Sequence, residues 1–338
     1  MGLGRLIARR LALMVLVLAG VTALTFLIAH AIPGDPARLL AGQRASDEVV
    51  AQIRRTHGLD QPLPVQYVRY MAGLLKGDLG RSIRTGRPVA EDLARFFPAT
   101  LELVGAAMVL AVAIGIPLGV ASAARHNSWI DHLTRSVSVA GVSMPLFWLG
   151  IMALVVLYGK LGWLPGSGRL SPFGLAPPPV TGMYLIDAAL AGDWETWRDA
   201  ARHLLLPASC LAFVHVGLVA RQVRASLLDV LHQEYIRTAH AYGVPPRRVL
   251  YRYALRNALV PTLTVVGLAL GDLVAGAVFT ETVFAWPGMG TYVVDSITFL
   301  DFPAIMGFTV VVAVGYSVIN LAVDLLTLRL DPRIRAMG

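Results

Sequence analysis

Charge is scarce in this chain. Only 15% of its 338 residues are Asp, Glu, Lys or Arg, against about 25% in a typical soluble domain. With 56% hydrophobic residues and a mean hydropathy of +0.64, that shortfall excludes an ordinary soluble domain and indicates an integral membrane protein. Cysteine is nearly absent as well. Cys210 is the single copy, so no disulfide forms within the chain and no cysteine cluster holds a metal. It sits in an apolar run, as packing. Motifs that carry chemistry are missing too. There is no Gly-x-x-x-x-Gly-Lys-Ser/Thr phosphate loop, so the chain is not itself the ATPase of any system. There is no His-Glu-x-x-His and no Gly-x-Ser-x-Gly. No catalytic constellation presents itself, which disfavours an intramembrane enzyme.

Long apolar runs are what the chain has instead. Six are long enough to span about 30 Å of hydrocarbon at about 1.5 Å per residue: Leu11–Ile32, Ala99–Ala124, Val137–Tyr158, Leu204–Ala220, Leu259–Phe284 and Ala304–Leu328. The fourth is short unless it extends through Leu228. The first follows Arg5, Arg9 and Arg10, like a signal peptide, but a signal's apolar core is only about 7–15 residues. It reads as a retained signal-anchor helix.

The excess of basic over acidic residues gives a net charge of +8. It fits positive-inside loops facing anionic lipid. No basic face with interleaved aromatics suggests nucleic acid. The short basic segments are the amino end, Arg125 with Arg135, the seven arginines from Arg221 to Arg256, and the tail with Arg329, Arg333 and Arg335. The loop Trp286–Pro303 has no Lys or Arg. All the basic segments fall on one side if both termini are cytoplasmic.

The expected organisation is therefore all-α. An N-terminal transmembrane helix (1–32) precedes an external cap region (33–97), and a membrane core (98–335) carries five further helices and a cytoplasmic hairpin (229–258). In the cap, Ser46 is a plausible N-cap for a helix through His57. Gly58–Pro64 breaks it, Val65–Leu75 resumes helical spacing, and Gly77–Gly80 and Thr85–Pro88 are turns. The second external loop, Lys160–Arg202, holds a short helix near Leu185–Leu190, with Trp194 and Trp197 in an interfacial belt.

The most informative stretch runs from Glu234 to Pro261. Apolar or small positions recur at Leu231, Tyr235, Thr238, Ala239 and Tyr242, a helical stripe. Gly243 stands where a C-terminal cap wants positive φ. Pro245 and Pro246 end that helix and start the next. Arg248, Arg252 and Arg256 then lie four apart on one face. The hairpin is either an amphipathic helix lying on anionic lipid or a docking surface for a soluble partner.

These residues carry a resemblance. Tyr235-Ile-Arg-Thr-Ala-His240-Ala-Tyr242-Gly243 followed by Leu255-Arg-Asn-Ala258 is similar to the cytoplasmic signature of ABC-importer permeases, in the form used by the dipeptide, oligopeptide and nickel branch. His240 stands where that branch has Arg, and Tyr242 where it has Lys. The likeness continues through Ile32–Ala37, Gly58–Leu63, Gly77–Ser82, Pro98–Leu103, Ser143–Leu149, Gly162–Pro165, Phe284–Gly290, Asn320–Leu326 and Asp331–Arg335, nine motifs in one order. It implies the type I importer permease fold, in a bacterial cytoplasmic membrane. It also implies a second, similar permease subunit, two cytoplasmic ATP-binding subunits that carry the ATP and magnesium, and an external substrate-binding protein. By the same likeness Glu234, Tyr235, Arg237, Thr238, Ala239, His240, Tyr242 and Gly243 contact the ATPase. The implied substrates are di- or oligopeptides, with nickel, glutathione or heme as alternatives.

Features inside the helices read as follows. Pro145 kinks the third helix. Gly115-xxx-Gly119 and Gly267-xxx-Gly271 mark close helix approaches, for static packing or for rocking during alternating access. Intramembrane charge is costly and so suggestive. Asp272 is either a pathway residue or an interhelical hydrogen-bond partner. Glu281 lies near enough to the outer surface to be solvated. Asp324 pairs with Arg329 or sits at the interface. His215 is a satisfied interhelical donor. The candidate pathway set is Pro145, Trp148, Asp272 and Glu281. A reading from another class is an ATPase-independent channel or ion-coupled secondary transporter using Asp272 or Glu281. No inverted repeat supports it, and it leaves the hairpin without a purpose.

Overall fold

The computed structural model describes residues 3–31, 37–38, 45–56 and 58–330. Residues 32–36 of the Ile32–Ala37 motif lie outside the described residues, as does the whole Asp331–Arg335 motif. Among the described residues the architecture is helical and without a strand. The elements are α1 (Leu3–Ala31), α2 (Asp47–Thr56), α3 (Leu63–Leu75), α4 (Val89–Ala124), α5 (Trp129–Ser143), α6 (Leu146–Ala153, continued by a π-helical stretch Leu154–Lys160), α7 (Tyr184–Ala191), α8 (Trp194–Leu231), α9 (Glu234–Ala241), α10 (Pro246–Arg248, followed by a π-helical stretch Val249–Ala254), α11 (Leu255–Val283), α12 (Met289–Thr298) and α13 (Phe302–Leu330).

Among the described residues, five helices are long and apolar enough to cross a membrane: Ile7–Ala31, Val89–Ala124, Trp194–Leu231, Pro246–Val283 and Phe302–Thr327. A sixth crossing is the pair α5 and α6 with its continuation, bent by 104°. The expected kink at Pro145 is thus a full break. α5 ends at Ser143, Met144 turns extended at φ −88° and ψ 128°, and Pro145 sits at the N-cap of α6. The cause is local. A proline drives the residue before it out of the helical region, and lacking a donor it suits a helix start. The other interior prolines, Pro98, Pro117, Pro207 and Pro261, stay inside continuous helices. The fourth span, Trp194–Leu231, extends past both ends of its apolar core, and Asp193 caps its start by accepting from the Thr196 amide at 3.0 Å.

The described residues divide into two compact units. The first comprises 98–291 and 316–330. Its core stacks Ala99, Leu103, Ala107 and Ala111 of α4 against Leu204, Ala208 and Leu211 of α8 and Leu273 and Ala277 of α11. The four α4 positions recur every fourth residue, so one helical stripe is buried. Both small-residue motifs mark close approaches here. A Cβ on Gly119 would lie 2.6 Å from the Ala220 carbonyl oxygen, and one on Gly267 would lie 2.0 Å from Val323. Lipid gives helices no hydrophobic drive to associate, so such backbone proximity supplies the packing.

The second unit comprises 3–97 and 292–315. The short helices between the first two spans form where the sequence places them, α2 after Ser46 and α3 up to Leu75. Phe26 of α1 meets Tyr67 and Tyr70 of α3 at centroid distances of 5.4 and 6.0 Å. The Tyr67 hydroxyl reaches Thr22 at 3.0 Å. Asp301, fully buried, accepts from Ser82 Oγ at 2.5 Å, from the Arg84 amide at 3.1 Å and from the Ala304 amide at 3.3 Å. It caps α13 and ties the Gly77–Pro88 turns to that helix.

Candidate functional site

The hairpin is built from three breaks in the chain. α8 stops at Leu231, and His232 and Gln233 separate it from α9. The expected stripe from Leu231 through Tyr242 therefore does not lie on one helix. The buried side chain of α9 is Ile236, 1% exposed, while Tyr235 and Tyr242 are 42% and 84% exposed. Ile236 seats in a cluster with Val120 and Ala123 of α4, Val223 and Leu227 of α8, and Val249. One residue thus fixes α9 to two membrane spans.

The second break is at Gly243. The Gly243 amide bonds to the His240 carbonyl at 2.9 Å and the Val244 amide to the Ala239 carbonyl at 3.1 Å. This pair of bonds closes a helix through a left-handed residue, and Gly243 has φ +74°. Val244 and Ala239 both pack on the Ile236 cluster, which adds the apolar contact that accompanies such a cap. The third break is at Pro245, extended, with Pro246 opening α10. The wide turn Val249–Ala254 then interrupts the α-helical step. Arg248, Arg252 and Arg256 are exposed but do not form the regular single-face row expected of one α-helix.

The outward face carries Glu234, Arg237, Thr238, His240 and Tyr242. Arg237 pairs with Glu234 at 2.8 Å, with both side chains mostly in solvent, so the pair adds little stability and both groups remain free to re-pair. Thr238 donates to the Glu234 carbonyl at 3.0 Å. Ala239 is half-buried and faces the seat. Asn257 donates to the Tyr235 hydroxyl at 2.8 Å, strapping α9 to α11.

The intramembrane candidates separate. Pro145 and Trp148 are exposed at the break between α5 and α6, and Asp272 is exposed on α11. Glu281 is different. It is 0% exposed, which corrects the solvated placement. Its carboxylate accepts from Thr100 Oγ1 at 2.6 Å, from the Gly290 amide at 2.6 Å and from the Thr291 amide at 3.2 Å. It caps the start of α12 from the preceding helix. This explains the glycines of Phe284–Gly290, since a Cβ on Gly288 would lie 2.3 Å from the Glu281 carboxyl carbon. Trp286 completes the corner by donating Nε1–H to the Ala99 carbonyl at 2.9 Å. Replacing Glu281 with alanine leaves Thr100, the buried Gly290 amide and the half-buried Thr291 amide without their acceptor. The expected loss is about 2 kcal/mol, read as a lower thermal midpoint in mild detergent. An unchanged midpoint would remove the capping role. His215 bonds the Leu211 carbonyl at 3.1 Å within its own helix, not across to another.

Two buried ion pairs escaped the sequence. Asp131, at the start of α5, takes a two-point contact from Arg224 of α8 at 2.6 and 2.9 Å. Glu102 of α4 accepts from Arg169 at 2.5 Å and from the Leu185 amide at 2.7 Å, and Arg169 lies 3.5 Å over the Tyr184 ring. The loop between α6 and α8 is thereby pinned to α4. Ser128-Trp-Ile-Asp131 does carry a local capping signal, but nothing local names Arg224 as the partner.

Known proteins match along nearly the whole chain. Residues 115–336 match the binding-protein-dependent transport system inner membrane component family, and residues 3–104 match its N-terminal region. A probable D,D-dipeptide transport system permease protein of Escherichia coli is 59% identical over 96% of this chain and 96% of its own length. A dipeptide transport system permease protein of Alkalihalophilus pseudofirmus is 43% identical over 97% of this chain and 98% of its own. A glutathione transport system permease protein of Salmonella paratyphi A is 38% identical over 93% and 94%. With nine-tenths or more of both chains aligned at these identities, this chain belongs to the family of binding-protein-dependent transport system inner membrane components.

Proposed function

We infer that this permease carries dipeptides across a bacterial inner membrane. In this reading an external binding protein delivers the peptide, and a second, similar permease subunit completes the pathway. Two cytoplasmic ATPases bind ATP and magnesium and drive the cycle. The chain itself has no catalytic site. Both termini and the hairpin 229–258 are cytoplasmic, in line with the positive-inside rule.

The observation that carries the coupling role is the seating of α9. A groove on an ATPase that grips Glu234, Tyr235, Arg237, Thr238, His240 and Tyr242 pulls on Ile236, and Ile236 is packed against α4 and α8. Displacement of α9 reaches two membrane spans through close-packed side chains, which transmit strain. A helix lying passively on lipid would not need so deep an apolar anchor. Pro145, Trp148 and Asp272 are proposed to face the pathway, with Glu281 supporting its outer end.

The dipeptide assignment rests on the relatives named for dipeptides, at 40–59% identity. The relative named for glutathione is 38% identical. The test is uptake of labelled dipeptides, glutathione and nickel by liposomes holding the full complex with its binding protein. Saturable, ATP-dependent dipeptide uptake is expected. Uptake of glutathione or nickel alone would reject the substrate assignment, and failure to recover any ATPase subunit after gentle extraction would reject the motor.

A further inference from the structure

The second unit holds a crevice of about 370 Å³. Phe26 and Ala29 from the last turns of α1, and Phe302, Pro303 and Met306 from the first turns of α13, make its apolar wall. Those turns end one membrane span and begin another, so the crevice stands where one face of the bilayer meets water. Helix α3 forms another side. It carries Val68 and Leu75 at 65% and 85% exposure, the pattern of a helix lying in the interface.

The polar lining is unevenly satisfied. His30 pairs with the Phe26 carbonyl at 2.8 Å and with Gln66 at 3.2 Å. Gln66 donates in turn to the Leu59 and Gln61 carbonyls. The Tyr70 hydroxyl is buried and has no hydrogen-bond partner among the described residues. Burial, with Tyr67 beside it, pushes that hydroxyl up to about 12, so it remains a donor at neutral pH. Arg69, also on the lining, makes no hydrogen bond or ion pair among the described residues. A buried donor without a partner costs about 1–3 kcal/mol. An anionic acceptor beside Tyr70 and Arg69 would remove that cost, and the apolar wall asks for a hydrocarbon chain.

We propose that this crevice is a phospholipid site, in which Arg69 and Tyr70 hold the phosphate and the Phe26, Phe302 and Met306 wall holds an acyl chain. Groups suited to both halves of such a ligand line the crevice. Arg69 and Tyr70 both line it, and charge-assisted hydrogen bonds to phosphate are among the stronger ones.

The test uses the full chain in mild detergent, stripped of lipid and titrated with phosphatidylglycerol, sodium laurate, inorganic phosphate or a dipeptide. Binding is read by native mass spectrometry and by the shift in thermal midpoint. Phosphatidylglycerol is expected to bind and stabilise, while laurate and phosphate alone do neither at the same concentration. Arg69→Gln should weaken the lipid roughly tenfold, the equivalent of one charged hydrogen bond. Tyr70→Phe should weaken it less. Met306→Trp should exclude it by filling the wall, and Ala29→Trp repeats that test from the other helix if the first variant fails to fold. Each variant is compared with wild type by its lipid-free midpoint, so that folding defects are separated from binding. Lipid binding unchanged by Arg69→Gln and by both filling variants overturns the proposal. So does laurate binding as tightly as phospholipid, or displacement of the lipid by inorganic phosphate or a dipeptide.

Discussion

Replacing Gly243 with valine is expected to abolish most of the proposed ATP-driven uptake while the subunit still inserts and folds. The reason is conformational and not steric. A Cβ at this position would meet nothing within 4 Å, so no clash forces a rearrangement. The φ of +74° is the difficulty. An L-residue in the left-handed region costs about 1–2 kcal/mol, and a β-branched one is the least tolerant. The chain escapes by turning φ negative. That breaks the Val244–Ala239 and Gly243–His240 bonds and swings Pro245 and Pro246 away from α9. The outward face is then misaligned although Ile236 stays buried. A displacement of that energy corresponds to roughly a tenfold loss of uptake. Gly243→Asn, which tolerates the left-handed region better, should retain most activity. Uptake and binding-protein-stimulated ATP hydrolysis are measured on the same liposomes. A Gly243→Val protein with wild-type uptake and stimulation would sink the coupling assignment.

Asp131→Ala has the largest expected effect on stability. Asp131 is 0% exposed, and it accepts from Arg224 twice, from Ser122 Oγ at 2.6 Å and from the Asn127 amide at 3.0 Å. Its loss leaves the Arg224 guanidinium, 18% exposed, without its counter-charge. Removing one partner of a buried pair costs about 3–5 kcal/mol. It also frees the Asn127 turn, which holds φ 60°. Arg224→Ala should do comparable harm, since it strands the carboxylate. The double variant Asp131→Ala with Arg224→Met should recover part of the loss, because neither charge is then buried alone. Thermal midpoints in mild detergent decide this. If the double variant is as unstable as the sum of the two single ones, the pair is not energetically coupled. The site is also mechanically placed. Arg224 lies two turns before the end of α8, the helix that leads into the hairpin, so the pair fixes α5 to the segment that carries α9.

Much of this molecule is legible in the sequence because it depends on local properties. The membrane class follows from scarce charge, and the positions of the five unbroken spans and of the bent one follow from run length alone. The cap at Gly243 and the restart at Pro246 are legible because backbone freedom and the missing proline donor belong to single residues. The all-α fold of the type I importer permeases follows from motifs that keep their order along the chain.

Other features depend on which distant residue arrives beside which. A proline inside an apolar run signals disruption, yet Pro98, Pro117, Pro207 and Pro261 stay helical while Pro145 breaks its span by 104°. Surrounding packing decides whether the lost backbone bond is replaced or the helix stops. A glutamate near a helix end reads as solvated, but Thr100 and two amides of α12 enclose Glu281. Helical spacing marks Tyr235 and Tyr242 as an anchor stripe, whereas the break at His232–Gln233 rotates α9 so that Ile236 is buried. Arg224 and Asp131 stand 93 positions apart, and no local pattern pairs them. Periodicity determines which faces a helix has to offer. Tertiary contact alone decides which face is used, because burial is a property of the neighbour as much as of the residue.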